Sequence, residues 1–354
     1  MVTPYYAPHV GGVETHVQAI TESLTSLGVD VEVLTQGSER SVRRDNDKLT
    51  VRTFPTVVPS DAYPVAPGLW AYLHRARRDY DVVHTHGYHG AAALGAIAAT
   101  GPPVVFTPHF HGGGHTPFAR LLHGAYRHLG AELFRRADRI ICVSRAEAEL
   151  VTAHHPAAQA KLRVIPNGVD LAGLRQAQPY PTTRPVILSV GRLASYKHVE
   201  VALDAAEHHP VDCELVIIGT GPELSRLERA ARSSSRVRVL GSVSDHERLR
   251  WQRSADIVVS LSEHEAFGLT LLEGLSVGAG AVVTDIAAHR EVTELAGAGD
   301  AVAFVPCPPT REQVVDALGR LLARPRRPAP PDVAWTWGRA AAAASAVYAE
   351  VAGP

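Results

Sequence analysis

The chain has 354 residues, of which 45% are hydrophobic and 20% charged, and its formal net charge at pH 7 is −1. These values describe a globular protein that is long enough for two domains. The near-neutral charge argues against a nucleic-acid-binding protein, because such proteins neutralise phosphates with excess lysine and arginine. No apolar run approaches the length of a membrane span, and the first residues lack the charged and apolar regions of a signal peptide.

The three cysteines indicate the compartment. Cys142 and Cys213 lie in apolar runs, where a cysteine usually acts as a small hydrophobic residue, and Cys307 is far from both in the sequence. Their wide separation shows no paired metal-ligand spacing. We therefore predict a protein of the reducing cytoplasm.

The N-terminal half alternates short apolar runs with longer helical patterns. Gly11-Gly12 precedes an amphipathic helical pattern that begins near Val13. Paired glycines at a helix N-terminus let backbone N–H groups approach an anion, although an ordinary glycine-rich turn has the same sequence. Five further runs rich in Val, Ile and Leu predict strands buried on both faces, at residues 29–35, 81–86, 104–107, 139–143 and 162–165.

The C-terminal half repeats this architecture. Six apolar runs predict the strands of a second sheet, at residues 186–190, 214–218, 237–240, 257–261, 281–284 and 302–305. A proline-rich polar stretch at 176–185 separates the halves and predicts a domain boundary. We therefore expect an α/β protein with one domain at 1–178, a second at 179–335 and a terminal helix at 336–354.

Two carboxylates, Glu265 and Glu273, flank a Phe-Gly-Leu step directly after the apolar run at 257–261. Residues 267–275 are predicted to form a helix, so Glu265 lies at a strand end and Glu273 about two turns into the helix. In parallel sheets ligands collect at this edge, and the helix N-terminus can hold a phosphate. Glu273 is then placed to accept hydrogen bonds from vicinal hydroxyls, such as those of a ribose. An isolated pair of this kind is more often two surface glutamates on a solvated helix.

This segment resembles the Glu-x7-Glu signature of the retaining glycosyltransferases of family 4, which have the GT-B fold. Other segments are similar to motifs of that family and occur in the family's order, at residues 8–14, 84–86, 107–109, 137–144, 164–170, 191–193 with Lys197, and 218–222. The resemblance covers nearly the whole chain. It implies two Rossmann-like doubly wound parallel-sheet domains that face an interdomain cleft, with the terminal helix crossing back to the first domain.

The start of the chain departs from this family. Members normally open with a buried strand before the glycine loop, whereas only residues 1–8, most of them polar, aromatic or proline, stand there in this chain. A missing central strand would remove much of the core. We interpret the short opening as a start codon placed too late.

The resemblance also implies contacts with a nucleotide sugar. The donor-binding residues that it implies are Gly12, Arg192, Lys197, Phe267, Gly268, Leu269 and Glu273. Arg192 and Lys197 would neutralise the leaving diphosphate without a metal ion, because a guanidinium offers aligned donors and an ammonium a point charge. Outside such a motif, an arginine or lysine is ordinarily a surface residue.

On the acceptor side the resemblance implies Gly11, Glu14 and His86, with Gly11 and Gly12 in one loop. His109 and Glu265 are the implied catalytic residues. His109 would lie near the transferred sugar, and Glu265 would act as a nucleophile or stabilise the oxocarbenium character of the transition state. The sequence leaves both routes open. We prefer the front-face route, in which the leaving phosphate takes the acceptor's proton.

Histidines crowd the predicted ligand edge of the first domain. His84-x-His86 after a strand is also a pattern of metallohydrolases. The C-terminal half supplies no matching ligand array, and the resembled family works without a bound metal. We therefore expect no metal site and a structural role for His84.

Two further features depart from a plain family pattern. His198 stands where the family usually has a small residue, often glycine, which we interpret as tolerated variation that could alter the loop. Residues 117–136 combine apolar side chains with arginines, as a membrane-surface helix does. We favour the ordinary interpretation, a helix that packs its apolar stripe on the sheet, and membrane-surface contact stays an alternative.

Together these patterns predict a metal-independent, retaining glycosyltransferase that moves a sugar from a nucleotide-diphosphate donor to a hydroxyl acceptor, with no cofactor and no nucleic-acid partner. The rivals are a sugar-nucleotide epimerase and a noncatalytic nucleotide-sugar-binding protein on the same fold, and a metallohydrolase. An epimerase would isomerise the donor without an acceptor, and a binding protein would show no turnover. The donor's base and sugar, the acceptor (small molecule, natural product, lipid or saccharide) and the oligomeric state stay open.

Overall fold

The computed structural model describes residues 1–9, 11–57, 64–88, 90–98, 101–112, 130–330 and 335–353. Val10 of the glycine motif and residues 117–129 of the predicted amphipathic segment lie outside the described residues. The chain forms two compact units, Met1–Gly168 with Trp337–Pro354 and Val169–Thr336. Within the described ranges, every helix is too short or too polar to cross a bilayer.

The chain passes from the first unit to the second after Gly168, ahead of the predicted boundary at residue 178. The short helix Leu171–Gln176 follows that boundary and packs on the helix Asp245–Ser254 of the second unit. The proline-rich stretch that suggested the boundary begins where this short helix ends. It therefore lies inside the second unit.

The described part of the first unit contains two groups of strands. In one group β2 pairs antiparallel with β3, and β3 pairs in parallel with β1; the strands are β1 (Val31–Gly37), β2 (Ser41–Asn46) and β3 (Leu49–Pro55). The other group is parallel and lies in chain order, with β4 (Val83–His86), β5 (Val104–Thr107), β6 (Arg139–Cys142) and β7 (Leu162–Val164).

Residues 1–3 lie between these two groups. Val2 pairs in parallel with both Leu34 of β1 and Thr85 of β4. Its N–H donates to the carbonyl oxygen of His84 at 2.8 Å. The opening segment therefore occupies the central strand position and joins the two groups, although it is far shorter than a usual strand.

Helices cover this sheet. They are α1 (Gly12–Ser26), α2 (Pro67–Ala76), α3 (Ala91–Ala98), α4 (Arg145–His154) and the C-terminal helix (Trp337–Ala352). Helix α1 buries Val17, Ile20 and Leu24, which share one face at helical spacing. The C-terminal helix packs on α1, and its Tyr348 hydroxyl lies 2.7 Å from Nδ1 of His84.

The second unit is built on one parallel sheet. Its strands in chain order are β8 (Val186–Val190), β9 (Glu214–Ile218), β10 (Val237–Gly241), β11 (Ile257–Ser260), β12 (Gly280–Thr284) and β13 (Val302–Val305). The helices are α5 (Leu171–Gln176), α6 (Val199–His208), α7 (Leu224–Ala231), α8 (Asp245–Ser254), α9 (Leu269–Ser276), α10 (Ala287–Leu295) and α11 (Arg311–Leu322). Leu188, Val216 and Val258 are fully buried, as expected where helices cover both faces of a sheet.

The order of strands across the second sheet is β10-β9-β8-β11-β12-β13. The chain moves outward from β8 to β10 and then returns to pair β11 with β8. The connections after these two neighbouring strands leave in opposite directions across the sheet. This opens a crevice at the C-terminal ends of β8 and β11. We call this the switch point, and it decides where the second unit can bind a ligand.

Candidate functional site

Two loops meet at the switch point between β8 and β11. One follows β8 and carries Arg192 and Lys197, and the other follows β11 and carries Glu265. The backbone N–H of Glu263 donates to the carbonyl of Tyr196 across the two loops at 2.9 Å. The fold therefore brings the two predicted cations and the first predicted carboxylate to one edge of the sheet.

Lys197 and Glu265 form an ion pair, with Nζ 2.5 Å from Oε1. The hydroxyl of Ser262 donates to the same oxygen at 2.9 Å. Burial alone would raise the pKa of Glu265, but the charge of Lys197 and the hydrogen bonds from Lys197 and Ser262 outweigh it and hold the pKa below its ordinary value. Burial opposes the charge on Lys197 as well, and the Glu265 carboxylate raises the Lys197 pKa above its ordinary value. Both side chains are therefore charged at neutral pH.

His289 supports this pair, and the sequence analysis did not single it out. Its Nδ1 lies 2.9 Å from the carbonyl oxygen of Thr284, and its Nε2 lies 3.2 Å from the hydroxyl of Ser260. Burial lowers the pKa of His289 below its ordinary value, although the charge of Glu265 works against this. Because a carbonyl only accepts, Nδ1 carries the hydrogen of a neutral ring. A lone histidine inside helix α10 offers no sequence pattern that predicts this position.

Glu273 lies on α9 and is 8% exposed. Nη1 of Arg248 lies 2.8 Å from each of its carboxylate oxygens, and Nε2 of Gln252 donates to Oε2 at 3.0 Å. The Glu273 charge raises the pKa of Arg248 above its ordinary value. Within the described ranges Oε1 accepts from Arg248 only, so one lone pair is left for a hydroxyl.

Sequence reasoning missed both Arg248 and Gln252. They are four residues apart on α8 and so lie on one face of that helix. The available signal was this pair of long polar side chains on the helix before β11. It does not identify Glu273 as the partner, because that depends on how α8 packs beside α9.

Helix α9 begins at Leu269, two residues after the predicted start at 267. Its N-cap, Gly268, has φ 109° and ψ 55°, in the left-handed region that favours glycine. Phe267 is 2% exposed, so its ring belongs to the core and only its backbone can meet a ligand. Because the N-cap residue Gly268 has no side chain to cap this N-terminus, the first N–H groups of α9 suit an anion such as a phosphate.

The Arg192 loop rests on a second loop, which follows β9. The N–H of Leu193 donates to the carbonyl of Thr220 at 2.8 Å, and a Cβ on Gly221 would lie 2.3 Å from the carbonyl oxygen of Leu193. Only glycine permits this approach, which explains the Gly-Thr-Gly sequence. Arg192 is exposed, and its guanidinium has no hydrogen bond or ion pair to any described residue. Beside it lies a pocket of about 20 Å³, enough for one water molecule.

In the first unit α1 begins at Gly12, one residue before the predicted start, and Gly11 is its N-cap. The carboxylate of Glu14 lies over Gly11, since a Cβ on that glycine would be 2.3 Å from Oε2. An acidic group near a helix N-terminus complements the helix dipole. The Glu14 carboxylate therefore covers Gly11, whereas a Cβ on Gly12 would meet no atom within 4 Å.

Three imidazoles meet at the C-terminal ends of β4 and β5. His16 comes from α1, His86 ends β4 and His109 follows β5, and their ring centroids lie 5.4, 4.8 and 5.7 Å apart. Burial lowers the pKa of His16 to about 4 and the pKa values of His86 and His109 well below the ordinary value. The ring of His86 is fully buried, so it does not reach solvent, whereas His109 is partly exposed.

His84 has a different environment from its neighbour His86. Its Nδ1 lies 2.7 Å from the hydroxyl of Tyr348, and its Nε2 lies 2.8 Å from the hydroxyl of Thr107. Both ring nitrogens are thus used within the first unit. His84 ties the C-terminal helix to β4 and β5, in agreement with the structural role expected for it.

A buried carboxylate fixes the backbone at His109, which is left-handed with φ 48°. The N–H of Phe110 donates to Oε1 of Glu147 at 2.5 Å, and the N–H of Val143 donates to Oε2 at 2.6 Å. Glu147 thereby ties the loop after β5 to the loop after β6. The sequence signal was Ser144-x-x-Glu147, a capping-box pattern, and Ser144 does cap α4.

His198 also has a left-handed backbone, with φ 47° and ψ 36°. This explains why the resembled family favours glycine here, since glycine adopts that region without strain. The ring compensates, because its Nε2 lies 2.8 Å from Oε1 of Glu263. His198 thus adopts the left-handed backbone and contacts the loop after β11.

Comparisons with known proteins identify the family. Residues 10–172 match Glycosyltransferase Family 4, and residues 173–330 match Glycosyl transferases group 1. A D-inositol 3-phosphate glycosyltransferase of Acidothermus cellulolyticus is 30% identical over 314 residues, which cover 76% of this chain and 69% of that protein. The chain belongs to glycosyltransferase family 4.

Two further relatives cover more of this family 4 glycosyltransferase. A D-inositol 3-phosphate glycosyltransferase of Xylanimonas cellulosilytica is 28% identical over 96% of this chain and 92% of that protein. A phosphatidyl-myo-inositol mannosyltransferase of Propionibacterium freudenreichii is 29% identical over 82% of this chain and 78% of that protein. The similarity therefore extends through both units.

Solved structures agree on the fold. Sucrose-phosphate synthase from Thermosynechococcus elongatus aligns with a TM-score of 0.72 at 20% identity, over 99% of this chain and 95% of that chain. HepE from Anabaena in complex with UDP-glucose aligns with a TM-score of 0.69 at 17% identity, over 99% and 94%. The predicted GT-B fold of two parallel-sheet domains is thereby confirmed, and the family 4 chain is a glycosyltransferase.

Proposed function

We propose that this glycosyltransferase moves a sugar from a nucleotide-diphosphate donor to a hydroxyl acceptor, with retention of configuration and without a metal ion at the diphosphate. The observation that carries the proposal is the switch point of the second unit. There Lys197 pairs with Glu265, Arg192 lies in the same loop as Lys197, and α9, which carries Glu273, begins four residues after Glu265. Fixed positive charge of this kind stabilises a leaving diphosphate.

The donor's nucleoside half belongs beside α9 in this proposal. Oε1 of Glu273 accepts a ribose hydroxyl, while Arg248 and Gln252 hold the carboxylate in place. The uncapped N-terminus at Gly268 and Leu269 contributes N–H groups to the phosphates. No cofactor is required, because the donor itself carries the activated sugar.

The ion pair of Lys197 and Glu265 prepares the reacting end of the donor. The Lys197 ammonium has three N–H donors, so it can donate to a phosphate oxygen while it also holds Glu265 in place. Glu265 then accepts hydroxyls of the transferred sugar and stabilises positive charge at the anomeric carbon. We propose that His109 contacts the transferred sugar and that Gly11 and Glu14 lie near the acceptor.

The proposed chemical step needs no separate base to accept the proton of the acceptor hydroxyl. The bond between the anomeric carbon and the diphosphate oxygen breaks, and its electron pair stays on the diphosphate, where Arg192 and Lys197 neutralise it. The acceptor oxygen bonds to the same face of the anomeric carbon. Its proton passes to the departing phosphate oxygen, so the products are a glycoside and a nucleoside diphosphate.

The relatives' names guide the choice of acceptor. Two are D-inositol 3-phosphate glycosyltransferases and one is a phosphatidyl-myo-inositol mannosyltransferase. We therefore place inositol phosphates and phosphatidylinositol first among the acceptors to be tested, followed by sugars and small hydroxylated molecules.

A screen of nucleotide sugars by thermal unfolding tests the donor, because a ligand that binds the folded state raises Tm. Donors that raise Tm are then incubated with each acceptor in the presence of EDTA. Mass spectrometry identifies the glycoside, and NMR gives the anomeric configuration. An inverted product, a strict requirement for added metal, or an isomerised donor without acceptor would each overturn the proposal.

A further inference from the structure

We infer that His16, His86 and His109 form a three-imidazole binding site for a divalent d-block cation such as Zn²⁺. The three side chains come from α1, the end of β4 and the loop after β5, all within the first unit. One ring nitrogen of each lies within 4.8 Å of the others. Three separate elements thus converge on one point, which chance surface clustering does not explain.

The hydrogen bonds of these histidines are incomplete. Within the described ranges neither Nδ1 nor Nε2 of His86 has a partner, and Nε2 of His109 has none. A buried ring nitrogen without a partner is costly and is rare in folded proteins. His84, whose ring is tilted against that of His86 at a centroid distance of 4.2 Å, has both nitrogens satisfied. The missing partners therefore distinguish His86 and His109 from this neighbouring histidine.

The third histidine is oriented as a ligand. Nδ1 of His16 lies 2.7 Å from Oδ1 of Asn167. Because a carbonyl oxygen only accepts, Nδ1 carries the hydrogen, and the lone pair is left on Nε2. A metal-binding histidine usually donates its other N–H to a carbonyl or carboxylate in this way. Trp337 packs edge-on against the same ring, with a centroid distance of 5.6 Å, and restricts its rotation.

The donor set selects the kind of ion. Neutral imidazoles bind zinc, copper and nickel well, whereas Mg²⁺ and Ca²⁺ need oxygen ligands. Three histidines with an open fourth position are one of the arrangements found around zinc. Nitrogens at zinc–nitrogen distances of about 2.0–2.1 Å in a tetrahedron are about 3.4 Å apart, so the cluster must contract by small side-chain rotations.

Occupancy of this site has a consequence for transfer that rests on the proposed function. A cation held by His109 removes that ring from the sugar, so the ion is an inhibitor and takes no part in the reaction. Chelation restores the activity. Binding of the ion itself does not depend on any donor or acceptor.

The experiment is a calorimetric titration of the metal-free full-length protein with ZnCl2 and, separately, with MgCl2. We expect one Zn²⁺ per chain and no binding of Mg²⁺. His16→Gln, His86→Gln and His109→Gln should each weaken Zn²⁺ binding at least tenfold, and Asn167→Ala about tenfold. The control, His246→Gln, alters an exposed histidine on α8 and should leave the affinity unchanged.

Thermal unfolding checks that each variant is folded, and the visible absorption of bound Co²⁺ reports the ligands independently. The inference fails if the wild-type protein binds no Zn²⁺, or if the three cluster variants bind it as tightly as His246→Gln. Zn²⁺ binding, together with no transfer to any acceptor when EDTA is present, would support the site and count against the proposed function. Transfer without Zn²⁺ binding would do the reverse.

Discussion

Nη1 of Arg248 lies 2.8 Å from both carboxylate oxygens of Glu273, although the two residues are on different helices. Both side chains are largely buried, with 17% and 11% of their surfaces exposed. A nearly buried ion pair of this kind fixes the carboxylate in one orientation. Arg248 is therefore a positioning residue for the contact that Glu273 is proposed to make with the donor's ribose.

Replacement of Arg248 should reduce the affinity for the donor more than it slows the reaction. We expect Arg248→Met to raise the donor KM about tenfold, equivalent to about 1.4 kcal/mol, with a smaller change in kcat. Arg248→Lys should recover part of the loss, because it keeps the charge. Arg250→Met, on the same helix, is the control. Equal KM values for the two methionine variants would contradict the assigned role.

Replacement of Lys197 should destabilise the protein in a pH-dependent way. Lys197→Met leaves the buried Glu265 carboxylate without its cation, which should lower the free energy of unfolding at pH 7 by about 3 kcal/mol. The folded-state pKa of Glu265 is lower than its value of 4.5 in the unfolded chain. Its stabilisation is thus present above that value and is lost as pH falls through the folded pKa.

In Lys197→Met the Glu265 pKa should instead rise, so this carboxyl is protonated as the pH falls from 7 to 4. The gap in stability between wild-type and variant should therefore narrow over that window. Urea denaturation at several pH values measures it. The double variant Lys197→Met/Glu265→Gln should be more stable than the single one at pH 7. A gap independent of pH would exclude this explanation.

The left-handed backbone of Gly268 makes it intolerant of a side chain. Gly268→Ala should lower the free energy of unfolding by about 1–2 kcal/mol, because φ is 109°. The corresponding fall in Tm is about 4 °C. Gly299→Ala is the matched control, since that glycine has ordinary φ and a Cβ would meet no atom within 4 Å. Calorimetry should show a loss for the first variant only.

The carboxylate of Glu147 should act on catalysis through His109. Glu147→Gln replaces one acceptor oxygen with a donor, so the N–H of Phe110 or Val143 loses its partner. We expect kcat to fall about tenfold while donor affinity stays constant, because the donor site is proposed in the other unit. Calorimetry and initial rates separate the two effects. If the variant bound the donor more weakly while kcat stayed unchanged, Glu147 would not act through His109.

Much of the fold could be predicted because its signals are local. Strands such as Val186–Val190 and Glu214–Ile218 have the predicted bounds, since buried parallel strands are continuous apolar runs. Strand Ser41–Asn46 was missed because it is exposed throughout and carries charged residues without alternation. It forms only by pairing with a neighbouring strand.

In the candidate site as well, residues in sequence motifs were predicted and the residues that support them were missed. The motifs placed Lys197 and Glu265 each after a strand, and the fold makes these two strands neighbours and brings the side chains into contact. Their supports, Arg248 and His289, come from helices whose packing no short pattern encodes. The burial of His86 could not be predicted either, because the same His-x-His sequence suits a solvent-facing edge.

We propose that Arg192, Lys197 and Glu273 bind a nucleoside diphosphate at the switch point of the second unit. Calorimetric titration of UDP, GDP and ADP into the full chain, with EDTA present, measures this binding. At least one of these should bind one-to-one to the wild-type protein, and Arg192→Ala and Glu273→Gln should each bind it at least tenfold more weakly. Arg311→Ala, on helix α11, removes an ion pair with Asp204 and should match the wild type. Unchanged affinity in the Arg192 and Glu273 variants would show that these side chains do not bind the nucleotide.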